Sequence, residues 1–301
     1  MNEGFIDPYV VVTNTVLAQL EKGVVPWRCP WNRKVGRPRN SNTGQPYHGV
    51  NLLLLGSAGF ASPYWLTWNQ IKARGGSVVK GEHGTIVVKY GQFKKKVVND
   101  GVEEEKTGTF LKGYRVFNAL QVKDIEFPEA VAPPAPDASE TEAKAEEIVN
   151  GMPEPPMIRQ GRYIRACYAR VSDTIDMPGK ESFDTPEHFY LTLFHELVHA
   201  TGHEKRLSRP TLIEHDGFGG QVYSQEELVA EMGAAYLAME ADIVRDNHQQ
   251  SAAYLQGWLS ALKDKDHRRW IVQAASQAGK AANFILNFNE VPQAAPQPAV
   301  A

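Results

Sequence analysis

Residues 184–202, DTPEHFYLTLFHELVHATG, leave few ways for the second half of this chain to fold. Asp184 or Thr185 can cap a helix, Pro186 suits its first turn and Gly202 supplies a stop. Between them Leu191, Phe194, Val198 and Leu193, Leu197 recur at spacings of three and four, the period of a helix buried over much of its surface. Two histidines inside so apolar a helix need a reason. His195 and His199 stand one turn apart on one face, where two imidazole nitrogens can reach a single ion. Glu196 lies about 100° round the axis, close enough to touch a water on that ion without being a ligand. A divalent metal brings the pKa of its water down to roughly 7, and a glutamate can then take the proton. The plainer alternative is a core helix with two hydrogen-bonded histidines. The capped, apolar frame favours the hydrolytic site.

Such a site needs a third protein ligand. The metzincin pattern would place a histidine six residues after the second one, and Lys205 stands there. His203 continues the helix face, but Gly202 ends the helix before it. His188 lies too far down the helix, and His215 sits in the glycine-rich stretch EHDGFGG without periodic support. Residues 223–242, YSQEELVAEMGAAYLAMEAD, are the better source. Leu228, Met232, Ala235 and Leu237 give them helical periodicity, and Glu227 and Glu231 share a face four residues apart. In glutamate-type zinc sites a Glu on a second helix completes the metal shell, and an acid four residues on holds one of the histidines. Glu227 is therefore expected as ligand and Glu231 as the carboxylate behind a histidine. Ser224 followed by Glu227 also reads as a capping box, which would leave Glu226 or Glu231 as the ligand. Upstream, alternation through Cys167–Val171 and Thr174–Met177 predicts two short strands joined by a turn. An edge strand there could hold an extended peptide by backbone pairing, or the sheet could simply cover the helices.

The rest of the chain is divided by composition. Residues 128–156 are rich in Pro, Ala and Glu and read as a linker, with a helix from Ser139 to Val149 opening the second domain. The predicted division is 1–127, the linker and first helix over 128–156, a second domain over 157–290, and a low-complexity, disordered tail over 291–301. Residues 1–127 carry 17 Lys/Arg against 10 Asp/Glu, a net +7, while the remainder carries 15 against 25, a net −10. A basic domain joined to an acidic one points to a polyanion as partner of the first alone.

Aromatic residues narrow that partner. PWRCPWNRKVGRPRN interleaves Trp27 and Trp31 with Arg28, Arg33, Lys34, Arg37 and Arg39 in a loop set by glycine and proline. Bases of a single strand stack on such rings while cations follow the backbone; duplex readers instead present a basic helix, and none is visible. Trp65 and Trp68 in YWLTWNQI serve either stacking or a core. A helix over residues 8–22, capped by Asp7, and strands GTIVVKYGQFKKKVV and GTFLKGYRVFNALQV joined by an acidic turn, NDGVEEEKTG, complete the reading. Lys94, Lys95 and Lys96 on the first strand form either a phosphate track or a solvated edge. Cys29 and Cys167, far apart, suit a reducing compartment. The start lacks a basic signal region, and the longest apolar run, VNLLLLGSAGFA, is too short to span a bilayer. The chain reads as cytoplasmic, without a membrane partner.

Taken together, PWRCPW, GQPYHGVNLLLL, YWLTWNQIKARGGSVVKGEHGTIVV, YRVFNALQV, DTIDMPGKESF, FYLTLFHELVHATGH, EELVAEMGAAYL and YLQGWLSALKD resemble the ArdC-type antirestriction proteins of conjugative plasmids, relatives of the N-terminal part of the TraC primases. The resemblance implies an α+β chain of two domains: a mixed α/β single-stranded DNA-binding domain, with Tyr47 added to the residues above, and a zincin-like metallopeptidase domain of the gluzincin HExxH type. It also implies zinc or another divalent ion as cofactor and protection of incoming single-stranded DNA from host restriction. Two readings follow. In one a metallopeptidase acts on a host protein at the DNA; in the other the protein shields DNA and its metal site is structural or idle.

Overall fold

The computed structural model describes residues 8–26, 36–99, 102–129, 137–214, 221–243, 252–263 and 269–288. Its contacts divide the chain into two units, Met1–Ala135 with Arg245–Ser276, and Pro136–Val244 with Gln277–Ala301. No described helix is long and apolar enough to cross a membrane.

In the first unit α1 (Pro8–Glu21) buries Val12, Val16 and Leu20, the stripe its spacing predicts. Gly23 beyond it takes φ 77°, a left-handed conformation open to glycine without strain. There follow β1 (Arg39–Asn40), α2 (Val50–Ser57), β2 (Tyr64–Thr67), α3 (Trp68–Ala73), β3 (Ser77–Val78), β4 (Thr85–Asn99), β5 (Val102–Asn118) and β6 (Val122–Lys123). The main sheet has the order β1-β2-β5-β4, parallel only between β1 and β2, and β3 pairs antiparallel with β6. Its core joins Leu55 of α2 to Trp65, Val87 and Val116 of the sheet. Thr67 caps α3 in a reciprocal box with Gln70, which fixes where strand β2 becomes helix. The expected acidic turn is far shorter than its composition suggested. β5 already begins at Val102, and the ladder pairs Asn99 with Val102 and runs on through Lys96 opposite Glu105.

The second unit opens with α4 (Ala138–Gly151), capped by Asp137. A small sheet, β7 (Met157–Gly161), β8 (Cys167–Ala169) and β9 (Thr174–Pro178), has the order β7-β9-β8, so β8 is an edge. The predicted pair of strands is the antiparallel β8/β9 hairpin; β7, parallel to β9, carries no clear alternation in sequence. Helices α5 (Pro186–Thr201), α6 (Pro210–Ile213) and α7 (Gln221–Glu240) complete it. Lys180 ties α4 to α5 by bonds to Glu142, Glu146 and the Tyr190 hydroxyl at 2.9, 3.0 and 2.7 Å. After α7 the chain returns to the first unit. There α8 (Ala252–Lys263) packs on α1 and buries Trp258, Leu259 and Leu262. α9 (Trp270–Ile285) begins in the first unit and ends in the second. Residues 245–276 group with the first unit, although they follow the predicted linker. Their apolar face reads the same whichever core it joins.

Candidate metal centre

Helix α5 forms as its sequence predicts. Thr185 accepts a bond from His188 N–H, Pro186 occupies the first turn, and Phe194, Leu197 and Val198 are fully buried. Gly202 ends it in a right-handed conformation, so its role is spatial. A Cβ there would lie 2.9 Å from the Arg209 guanidinium and 3.0 Å from Leu212. His203, just past that end, accepts the Lys205 backbone N–H in a turn, and His188 is exposed. His215 lies outside the described residues.

Helix α7 crosses α5 at very close range. A Cβ on Gly233 would meet the two methyls of Val198 at 2.7 and 2.8 Å, and Val198 is completely buried. Glycine is what lets the helices approach, and the approach carries Glu227 to the histidines. Gly233→Ala should therefore separate them, at a cost of about 1–3 kcal/mol typical of overpacking. Thermal unfolding should show that loss, and Val198→Ala in the same chain should recover part of it. Unchanged stability in Gly233→Ala would refute the tight crossing.

At the crossing His195 Nε2 lies 3.1 Å from His199 Nε2. Glu227 Oε2 lies 3.4 Å from the first nitrogen, and Glu227 Oε1 3.6 Å from the second. Ligand atoms at tetrahedral corners about 2.0–2.1 Å from an ion are about 3.3–3.4 Å apart, so this triangle has the size that a divalent ion needs. Among the described residues this is the group of histidine, cysteine and carboxylate side chains that converges closely enough for one ion. The donor set, two imidazoles and a carboxylate, supplies three protein ligands, one fewer than a closed four-ligand structural zinc site.

Behind the triangle is a buried polar network that sequence reasoning distributed differently. The carboxylate holding His199 Nδ1 is Glu226, at 3.0 Å, so the service expected of Glu231 can concern only His195. Glu226 is itself clamped by Arg209 through 2.8 and 2.6 Å bonds, and it accepts the Thr211 hydroxyl at 2.5 Å. Arg209 spends further donors on Thr201 Oγ1 and the Val198 carbonyl. A charge so deeply buried is tolerable because every partner is in place. Burial works against the Glu226 anion, but Arg209 and His199 outweigh it and bring its pKa down to about 2. Burial likewise opposes a charged His199, yet Glu226 and Glu227 push its pKa up to about 10. Burial again opposes the Glu227 anion, and the two histidines hold its pKa well below the carboxylate range. Ser224 lies inside α7, which begins at Gln221, so the capping-box alternative for Glu227 does not hold.

Glu196 is buried, and its Oε2 accepts the Tyr168 backbone N–H of β8 at 2.7 Å. One carboxylate oxygen is thus fixed on the edge strand. Tyr168 is fixed in turn: its hydroxyl donates to Asp173 at 2.9 Å, and Arg206 bonds both. The Tyr223 phenol, one turn before Glu227, is pushed up to about 12 by burial and by Glu227. Nothing in the sequence pattern singled out Tyr168, Arg209 or Tyr223.

The expected nucleic-acid residues divide three ways. Trp27, Arg28, Trp31, Arg33 and Lys34 lie outside the described residues. Trp65 is 1% exposed, edge-on to Phe60 at 5.4 Å, and is a core residue, unable to offer a face to a base. Trp68 is 48% exposed at the start of α3, with Lys72 Nζ 5.2 Å from its ring. Asn40, beside Arg39 in β1, donates to Gln70 of the same helix at 3.2 Å. Arg37 reaches His48 Nδ1 at 3.2 Å, and Tyr47 is half-buried against the Leu55–Trp65 core. Lys94, Lys95 and Lys96 lie along β4 opposite Thr107, Lys106 and Glu105.

Comparison with known proteins assigns a domain type to each part of the chain. Residues 7–117 match the N-terminal domain of anti-restriction factor ArdC, and residues 143–277 match a zincin-like metallopeptidase. DNA primase TraC of Escherichia coli is 33% identical over 301 residues; the alignment covers 93% of this chain but only 27% of the primase. The metal-free crystal structure of the antirestriction ArdC protein from plasmid R388 is 36% identical, with TM-score 0.69, covering 93% of this chain and 97% of that one. Its Mn(II)-bound form is 34% identical, with TM-score 0.70, over 94% and 98%.

Proposed function

This chain belongs to the ArdC family of antirestriction proteins, and on that premise we propose that it binds single-stranded DNA entering a host by conjugation and hydrolyses a host protein there. The observation that carries the hydrolytic half is Glu196, fixed beside the His195–His199–Glu227 triangle with one oxygen on the Tyr168 amide. His195, His199 and Glu227 would hold one divalent ion, zinc or manganese. The ion would supply Lewis acidity to a water and to a peptide carbonyl. Glu196 takes a proton from the attacking water and returns it to the leaving amine. Glu226, held by Arg209 and Thr211, keeps the His199 ring aimed, and Glu231 is assigned the same duty toward His195. The outer edge of β8 beside Glu196 orients an extended peptide. The full chain loaded with Mn(II) or Zn(II) should cleave an unfolded protein mixture, with new peptide termini read by mass spectrometry. Absence of cleavage, with and without single-stranded DNA, would leave the shielding reading in its place.

For the first unit, Trp68, Arg37 and Arg39, with the basic segment 27–34 and Lys94–Lys96, are assigned to the strand. The exposed ring of Trp68 beside Lys72 supports this, as does the net +7 of residues 1–127. Affinity of the full chain for single-stranded DNA should fall with salt by roughly 0.7 log units per log unit for each phosphate neutralised. Trp68→Ala should weaken binding by about 1–3 kcal/mol. Trp65→Ala should instead cost about 3–5 kcal/mol of stability, since it removes core volume. Fluorescence anisotropy and chemical unfolding on the same pair separate the two; salt-independent binding would count against the assignment.

A further inference from the structure

The second unit has an unusual arginine economy. Arg159 pairs with Asp176, Arg170 with Glu204, Arg206 with Asp173 and Arg209 with Glu226. Among the described residues, Arg162 and Arg165 have no carboxylate, although residues 128–301 carry a net −10 that offers many. Both are exposed, and they flank Tyr163 at 36% and Ile164 at 103% relative exposure. Ile164 thus stands fully in solvent between two cations.

This lip leads directly into the edge strand of the site. Tyr168 N–H reaches Glu196, so the outer edge of β8 passes the carboxylate assigned as base. Arg165 precedes Tyr168 by three residues, at most roughly 10 Å of chain.

Resting on the metallopeptidase reading above, we propose that Arg162 and Arg165 form an anion-recognising lip that selects peptide segments with a glutamate or aspartate a few residues from the scissile bond. Ile164 and Tyr163 supply apolar contact between the two charges. A phosphate backbone could satisfy two arginines, but a lip that continues into a peptide-pairing edge favours a carboxylate-bearing peptide.

The test uses the Mn(II)-loaded full chain and hydroxamate-capped peptides identical except for Glu, Gln or Lys at about the second to fourth position from the cap. Binding, read by calorimetry, should favour the Glu member over the Lys member about tenfold, the size of one charge-assisted hydrogen bond. R162E/R165E should reverse that order, and R162Q/R165Q should erase it, with metal content unchanged in both. Equal binding of all members, or an unchanged order in the charge-swapped protein, overturns the proposal. So does a swap that lowers single-stranded DNA affinity without altering the peptide order, because the lip would then belong to the nucleic acid. A preserved Glu preference without hydrolysis of matching free peptides would end the peptidase reading and leave the lip standing.

Discussion

His195→Ala should empty the metal centre while leaving the chain folded. His195 Nε2 and His199 Nε2 are 3.1 Å apart and lie 3.4 and 3.6 Å from Glu227 Oε2 and Oε1, so removing one of the three residues leaves too few donors for an ion that takes at least three from protein. Changes behind the ligands of such sites cost about 10–100-fold in affinity, and loss of a ligand itself should exceed the upper figure. Metal analysis after dialysis checks this; equal content in wild type and variant would refute the site. The same residues fix the pH dependence. Without an ion, Glu226 and Glu227 outweigh burial and keep His199 a cation up to about 10, so metal must displace a proton. Affinity in the wild type should then rise about tenfold per pH unit from neutrality toward that value. The metal-free fold moves the other way. A raised histidine pKa contributes stability that is complete below the unfolded value, near 6.5, and is lost as pH rises through about 10. Opposite pH trends for metal-free stability and metal affinity are the signature to look for.

How much of this centre could be read in the sequence depends on whether a residue announces itself by period or only by contact. His195, Glu196 and His199 stand on a helix whose caps and apolar spacing are local, and helix α5 appears where those signals put it. Glu227 was a candidate because α7 is periodic. Choosing among Glu226, Glu227 and Glu231 needed the rotation of α7 about its axis, which depends on the Gly233–Val198 crossing and on no neighbour in sequence. Glu226 turns toward Arg209, a residue in the unremarkable stretch RLSRPTL, and only the folded chain brings the two within 2.6 Å. The Tyr168 amide was beyond reach for a further reason: backbone groups carry no sequence signature at all. In the first unit the ambiguity of Trp65 and Trp68 had the same origin. Strand β2 ends between them, so one ring faces the core and the other, three residues on, opens α3 at the surface. The β4–β5 ladder shows the converse error, a segment read as turn from its acids that pairs in register from Asn99–Val102 onward.

The change with the sharpest consequence for function is Glu196→Gln. Glutamine keeps the shape that accepts the Tyr168 N–H, and Glu196 is not one of the three converging ligands, so fold and metal content should be preserved. What disappears is the ability to take a proton from water and pass it on, a contribution typically worth about 10²–10⁴ in rate. Peptide hydrolysis should fall by that factor while affinity for single-stranded DNA stays unchanged, since the residues proposed to bind the strand belong to the other unit. Transfer of DNA into a restricting host then separates the two ways such a protein could protect it. If protection requires proteolysis, it fails in Glu196→Gln. If occupancy of the strand suffices, it persists there and fails instead when Trp27, Trp31 and Trp68 are replaced by Ala. On the proposed assignment the basic, aromatic first unit makes the contact with the strand without any help from the metal, and persistence is the expected result. Complete loss of protection in Glu196→Gln, at unaltered DNA affinity, would make the metal centre the effector and the DNA-binding unit its means of delivery.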